Sequence, residues 1–382
     1  MLNISIIFFF ITFKLYYQQQ IIIIPLETST NPGRTYNFYF ENYTNPISLT
    51  FTYSYSYINN SFFLQRYSSP TEYPPAIEKS KYFRYFYLYK DKVSFKGHPI
   101  TFDYMFYART NGTPETDEET YVDRLSLRFS STHNNKTLIH LLHEQHIIPY
   151  KAFTLNIKYN WFILGGLPSL TKFKLHHIGT TMLSQQKLDF YSWYCDINEI
   201  QVGDIHYITN NTRGIFNLDS AAISIPSDVF SQINVKYFQR YYKSMKCYWD
   251  NVHSFNKDDF YDSGMRIWCE EEVIKDIPDI VFRVGKVNVR IRNEDVFKCG
   301  EGLGKRFCLF EIADRGDDNV LDLGTTFLKG YFVMFDYDKM SLGFYEEVGK
   351  GLGMVVWLLM KMLVGILCFG VGVNVLFIIK NK

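Results

Sequence analysis

The sequence predicts a mostly β body followed by one apolar helix near the C-terminus, and three observations carry that prediction. Aromatic residues make up 18% of the 382 residues, with 34 Phe and 30 Tyr. Both side chains favour the pleated, half-buried surface of a strand. Apolar and polar residues alternate with period two over several segments, without the helix-length spacers of a βαβ chain. Residues 355–379 form a 25-residue stretch whose single charge is Lys361. Charge also excludes a class of function: 40 Lys+Arg against 39 Asp+Glu leave no global field to gather nucleic acid or another polyanion.

The elements follow in chain order. Residues 6–13 are apolar apart from Thr12 and are followed by Lys14 and Tyr-Tyr-Gln-Gln-Gln. The run is too short to cross a bilayer and predicts a signal peptide over residues 1–19. Leu49, Phe51, Tyr53, Tyr55 and Tyr57 then share one parity, with Ser48 and Thr50 to Ser56 on the other, as a strand requires. Residues 81–107 hold two aromatic strands broken by Lys96-Gly97-His98-Pro99. Leu138, Leu141 and Leu142 mark a short helix, and residues 153–164 read as strand closed by Gly165-Gly166. Pro226-Ser227-Asp228 predicts a helix start with Val229, Phe230, Ile233 and Tyr237 inward. Val287, Val289 and Ile291 alternate with Asn288, Arg290 and Arg292 in a later strand. As a helix, residues 355–379 would span about 37 Å, against a hydrocarbon core of about 30 Å. Residues 352–379 are therefore expected to cross the bilayer, leaving 380–382 as a short cytoplasmic tail.

That arrangement predicts a single-pass type I membrane protein of the secretory pathway or cell surface, its body lumenal or extracellular. Asn-X-Ser/Thr triplets at Asn42, Asn59, Asn111, Asn135 and Asn210 are acceptors for glycosylation in such a compartment. Cys195, Cys247, Cys269, Cys299 and Cys308 lie in the body, and Cys368 in the apolar stretch. No C-x-x-C pair or His cluster accompanies them, so disulfides are expected rather than a metal site. The odd fifth body cysteine stays free or pairs between chains. No cofactor is expected.

Four segments carry a resemblance. Leu321-Asp-Leu-Gly-Thr-Thr-Phe-Leu, continuing to Ser341-Leu-Gly-Phe344, is similar to the closing strands of the pepsin-like aspartic peptidases (peptidase A1). Leu142-His-Glu-Gln-His with Phe162-Ile-Leu-Gly-Gly166 resembles their inter-lobe stretch, and Ile277-Pro-Asp-Ile-Val-Phe282 a segment of their C-terminal lobe. Lys90-Asp-Lys-Val-Ser-Phe-Lys-Gly-His-Pro99 looks like the strand pair after the flap. The resemblance implies a bilobed fold, with an N-terminal lobe over 20–160 and a C-terminal lobe over 161–348. It also implies a disulfide between Cys269 and Cys308, with Cys299 as a second-choice partner for Cys269.

It says where two catalytic carboxylates should be. Close like charges cannot both ionise cheaply, so such a dyad shares one proton, and one member acts as base while the other acts as acid. Family members carry Asp-Thr/Ser-Gly-Ser/Thr in each lobe. In the C-terminal lobe the matching stretch is Asn217-Leu-Asp-Ser-Ala-Ala222, with Asp219 at the catalytic position. Ala221 stands where Gly is expected and Ala222 lacks a hydroxyl, which implies a crowded loop without its hydroxyl brace. In the N-terminal lobe the matching stretch is Thr52-Tyr-Ser-Tyr-Ser-Tyr57, with Ser54 at the other dyad position and Ser56 in place of Gly. No Asp precedes Asp91, and Glu27, Glu41, Glu72 and Glu78 lie in no such motif. Ser126 stands where the supporting segment usually has Gly. Tyr82, Tyr85, Tyr87 and Tyr89 are flap candidates that read better as strand aromatics. Asp262-Ser-Gly264 spells the motif too late in the lobe. A rescued dyad would need Asp91, Asp103 or Asp123.

The resulting expectation is a membrane-anchored pseudopeptidase that binds a peptide or protein without hydrolysing it. The alternatives are a specialised aspartic endopeptidase using Asp219 with another carboxylate, and a structural surface glycoprotein.

Overall fold

The computed structural model describes residues 21–28, 36–41, 47–50, 57–58, 76–79, 86–109, 124–127, 137–167, 175–183, 193–251, 265–302, 305–316 and 319–347. The expected signal peptide and membrane helix lie outside them, as do Asn42, Asn59, Asn111 and Asn135. Asn210 falls within strand Ile205–Phe216. Among the described residues no helix is long and apolar enough to cross a membrane.

Among the described residues strands dominate and form four sheets. A six-stranded sheet joins the first and last of the described strands, in the order Ile22–Pro25, Trp161–Leu164, Ala152–Asn156, Phe332–Asp336, Ser341–Glu347, Leu175–Met182. Its centre is held by aromatic packing. Phe153 stacks on Phe335 at 4.6 Å between ring centroids, and Trp193 meets Phe335 edge-on at 5.1 Å, geometries that suit the ring quadrupoles. The expected single strand over 153–164 is a hairpin instead. Its turn closes at Asn160, at φ +54°, where the Asn156 carboxamide accepts the Tyr159 amide at 2.8 Å. A residue run apolar on both sides of a turn gives period counting nothing to divide it by.

The aromatic hairpin pairs Phe86–Ser94 with Thr101–Arg109, from Phe86 opposite Arg109 to Ser94 opposite Thr101. Its turn passes through Gly97 at φ +77°. Leu138–Glu144 is the expected short helix. At Ser227–Ile233 the helix forms with Val229, Phe230 and Ile233 buried, then continues as a π-helix over Asn234–Phe238. The Ser227 hydroxyl is drawn to Asp314 rather than capping the helix. Strand Val287–Ile291 shows the expected alternation, with Val287, Val289 and Ile291 buried.

The cysteine pairing differs from expectation. The bonds are Cys247–Cys269 and Cys299–Cys308, with Cα separations of 4.1 and 3.9 Å. In the four-stranded sheet Cys247 is directly opposite Cys269, Cys269 opposite Cys308, and Cys308 opposite Cys299. Each inner cysteine thus has a cysteine on both sides. The expected 269–308 bond would leave the outer two three strand spacings apart, about 14 Å, too far to bridge. Pairing outward joins all four. Cys195 is free and buried, its thiol pushed up by burial and directed at the Gly214 carbonyl.

Candidate functional site

The same strand crossing occurs twice. In the second half of the chain, Ile205–Phe216 runs parallel to Val320–Leu323, ending with Phe216 opposite Leu323. The chain passes through residues 217–222 and returns as Ile223–Ile225, antiparallel to the same strand at Ile223 and Leu323 and parallel to Ile312–Asp314. In the first half, Ile47–Thr50 runs parallel to Arg124–Ser126, ending with Thr50 opposite Ser126. The chain returns as Tyr57–Ile58, antiparallel to Arg124–Ser126 and parallel to Thr101–Arg109. Between the paired strands lie residues 217–222 in the second crossing and, outside the described residues, 51–56 in the first.

Loop 217–222 is held from three sides. Asn217 is buried, its amide bonds the Leu323 carbonyl at 3.1 Å, and its side-chain oxygen accepts the Asp219 amide at 2.9 Å. This Asx turn presents Asp219, which is half-buried. The first turn of the short helix Thr325–Leu328 donates to the loop. The Thr325 amide bonds the Ser220 carbonyl at 2.9 Å and the Thr326 amide the Ala221 carbonyl at 3.1 Å. These are amides that a helix start leaves without internal partners. Gly324 permits the approach, since a Cβ there would stand 2.2 Å from the Ala222 carbonyl oxygen. These main-chain donors hold the loop from outside, while Ala222 supplies no hydroxyl to it.

A buried ion pair backs this arrangement. The Glu311 carboxylate, 3% exposed, takes the Lys329 ammonium at 2.6 Å and the Thr326 hydroxyl. Its carbonyl accepts the Ile223 amide at 3.0 Å, where the loop ends. Lys329 also donates to the Asp295 carbonyl at 2.7 Å. The Thr325 hydroxyl is fully buried and meets no hydrogen-bond partner among the described residues. On the adjoining strand, burial pushes the Asp322 carboxyl up while Arg315, at 2.6 Å, pulls it back.

The other expected site residues are dispersed. Ser54 and Ser56 lie outside the described residues, as do Tyr82, Tyr85, Asp123 and Asp262-Ser-Gly264. Tyr89 is buried and stacks on Phe106 at 6.2 Å, and Tyr87 is half-buried against the same core. Asp103 pairs with Lys90 at 2.6 Å, and Asp91 accepts the Lys92 amide at 2.7 Å. Sequence reasoning missed Asn217, Gly324, Glu311 and Lys329. Asn two residues before Asp was a readable turn signal, whereas the Glu311–Lys329 pair leaves no local pattern. The described residues hold no cluster of three or more His, Cys, Asp or Glu suited to a metal ion. A shallow hollow of about 650 Å³ lies between Asp204–His206 and Ser231–Lys236, and no residue of the 217–222 loop lines it.

A family profile described as "Eukaryotic aspartyl protease" matches residues 87–347. Among solved structures, the crystal structure of an aspartic proteinase from Irpex lacteus superposes with a TM-score of 0.60. The two are 14% identical, and the match covers 86% of this chain and 98% of that one. No curated protein matches the chain by sequence.

Proposed function

Because the chain belongs to the eukaryotic aspartyl protease family, and has its mostly β, bilobed pepsin-like fold, we propose that it is a membrane-anchored pseudopeptidase that binds an extended peptide or a protein without hydrolysing it. One observation carries the proposal. The two equivalent crossings are linked by segments of unequal chemistry: 217–222 presents Asp219, while the sequence of residues 51–56, Phe-Thr-Tyr-Ser-Tyr-Ser, contains no carboxylate. Ser54 is the residue assigned to the second dyad position, and any slip within that segment still meets no acid. A serine hydroxyl cannot share an acidic proton with Asp219, so the acid and base duties have no second holder. Peptide or protein as ligand rests on fold-level analogy: sheet-built folds can take up extended backbone along a strand edge. The anchor rests on residues 352–379 and export on residues 1–19; a body facing the secretory lumen or cell exterior follows from both.

The test is the purified full chain incubated with a peptide library from ~pH 3 to ~pH 7, the range over which carboxylate dyads act. Expected are bound peptides and no cleavage beyond that of Asp219→Ala. Cleavage that Asp219→Ala abolishes would overturn the proposal. It would support the second reading, an endopeptidase using Asp219 with a carboxylate from elsewhere, which the firm main-chain support of the Asp219 loop favours.

A further inference from the structure

The four-stranded sheet carries its cysteines in one row: Cys247, Cys269, Cys308 and Cys299, on adjacent strands in that order. Directly opposed residues of neighbouring strands project from the same face, so the four sulfurs share one side of the sheet. Cys247, Cys269 and Cys308 are buried there, while Cys299, on the outer strand Phe297–Gly302, is half-buried. In an antiparallel sheet opposed pairs alternate between hydrogen-bonded and non-hydrogen-bonded types, and a residue that is one type toward one neighbour is the other toward the next. The bridged pairs have the short Cα separations, 4.1 and 3.9 Å. The central Cys269/Cys308 pair is then of the wide type, about 5.5 Å between Cα atoms, within the Cα range of a disulfide, and its Cβ atoms must draw together by about 1 Å for the bond to form. The row therefore supports two pairings, the one present and one that joins Cys269 to Cys308.

We propose that this row is a thiol–disulfide relay, in which reduction at the Cys299 edge moves the remaining disulfide to Cys269–Cys308 and leaves thiols at Cys247 and Cys299. The co-reactant is a small or protein dithiol. Its thiolate attacks the accessible Cys299 sulfur, and the Cys299–Cys308 bond breaks with the electron pair leaving on Cys308. The Cys308 thiolate then attacks Cys269, the Cys247–Cys269 bond breaks, and Cys247 leaves as thiolate and takes a proton. The second thiol of the reductant closes on the mixed disulfide, forming the reductant's own disulfide and releasing Cys299 as thiol. Two electrons and two protons enter the chain, and the reductant is oxidised by the same two electrons. In the end state the outer strands Cys247–Asn251 and Phe297–Gly302 are unclipped and the inner two are joined. The relay is independent of any activity at Asp219.

Trapping on the unmodified full chain tests it. Cleavage after Lys246, Arg266, Lys298 and Arg306 places each cysteine on its own peptide. The protein is treated with one equivalent of dithiothreitol, quenched in acid, alkylated and mapped by mass spectrometry. The expected result is a several-fold rise in the peptide pair linked through Cys269 and Cys308, with Cys247 and Cys299 alkylated. Singly reduced molecules that keep Cys247–Cys269 and carry alkylated Cys299 and Cys308 would overturn the relay. So would a 269–308 link already dominant before reduction. A double variant, Cys247→Ser with Cys299→Ser, provides a second reading: it is expected to form the 269–308 bond in air, and persistent thiols at both positions would count against the geometry.

Discussion

The two halves of the chain build one strand crossing from different materials. The first half packs it on a ladder of rings: Phe38 to Phe40 at 5.4 Å, Phe40 to Phe95 at 5.6 Å, Phe95 to Phe102 at 5.0 Å, and Tyr104 to Phe106 at 5.8 Å. The second adds more branched aliphatics to its rings: Ile197, Ile200, Ile223, Ile225, Val229, Val289 and Ile291 are all buried, and Phe216 meets Phe327 edge-on at 5.8 Å. The second also carries both disulfides, the Asp219 turn and the buried Glu311–Lys329 pair. The crossing asks only for alternation and backbone pairing, which either set of side chains supplies. Loop chemistry is a separate requirement that neither kind of packing dictates.

Breaking the second half's brace is the harshest test of that contrast. Lys329→Met would leave the Glu311 carboxylate buried without its cation, a loss of about 3–5 kcal/mol. Urea unfolding followed by hydrogen exchange should show protection lost first in strands Ile205–Phe216 and Val320–Leu323, with the ring ladder of the first half retained. Equal loss in both halves would mean that they are one cooperative unit.

A smaller effect is expected from Gly324→Ala. The added Cβ meets the Ala221 and Ala222 main chain, and forcing it in costs about 1–3 kcal/mol. At the family-equivalent position of the first half, Ser126→Gly should change the unfolding free energy by less than that. A large gain from Ser126→Gly would show that the first crossing wants the same close approach as the second.

The mildest effect lies where the halves meet. His140, on the short helix Leu138–Glu144, contacts Tyr337 of the closing hairpin at 5.1 Å, and its Nδ1 is 2.8 Å from the Thr137 hydroxyl. Burial lowers its affinity for a proton, and the charge on Lys151 adds to the effect. The folded chain therefore binds this proton less readily than the unfolded chain. The stability His140 contributes is complete above about pH 6.5 and is lost as pH falls from there through the lower folded-state value. In His140→Gln the decline of unfolding free energy below about pH 6.5 should be shallower. An unchanged slope would assign the decline to other groups.

What the residues disclosed in advance was what local pattern encodes. The aromatic hairpin with its Gly97 turn and strand Val287–Ile291 were visible as alternation plus turn residues, and the closing hairpin through the resemblance carried by residues 321–344. The split at Asn160 was not, because an apolar residue on each side of a turn looks the same as a strand that continues. Asp219 was readable as a position, but its support was not, since the Thr325 and Thr326 amides reach it from about 100 residues away. The cysteine pairing failed for a related reason. A resemblance supplies one preferred neighbour, whereas the row supplies Cys269 and Cys308 with two each.

The six-stranded sheet has a consequence for the order in which the protein is made. Strand Ala152–Asn156 leaves the ribosome with one side paired to Trp161–Leu164, but its other side waits for Phe332–Asp336. That partner is roughly 180 residues later, about 10–40 s of synthesis at ordinary rates. During that interval the central strand is an open edge, and Phe153 lacks the Phe335 ring that covers it. Such an edge invites pairing with other chains. The segment that covers this edge thus comes late in the chain, so a nascent chain stalled before residue 332 carries the edge exposed.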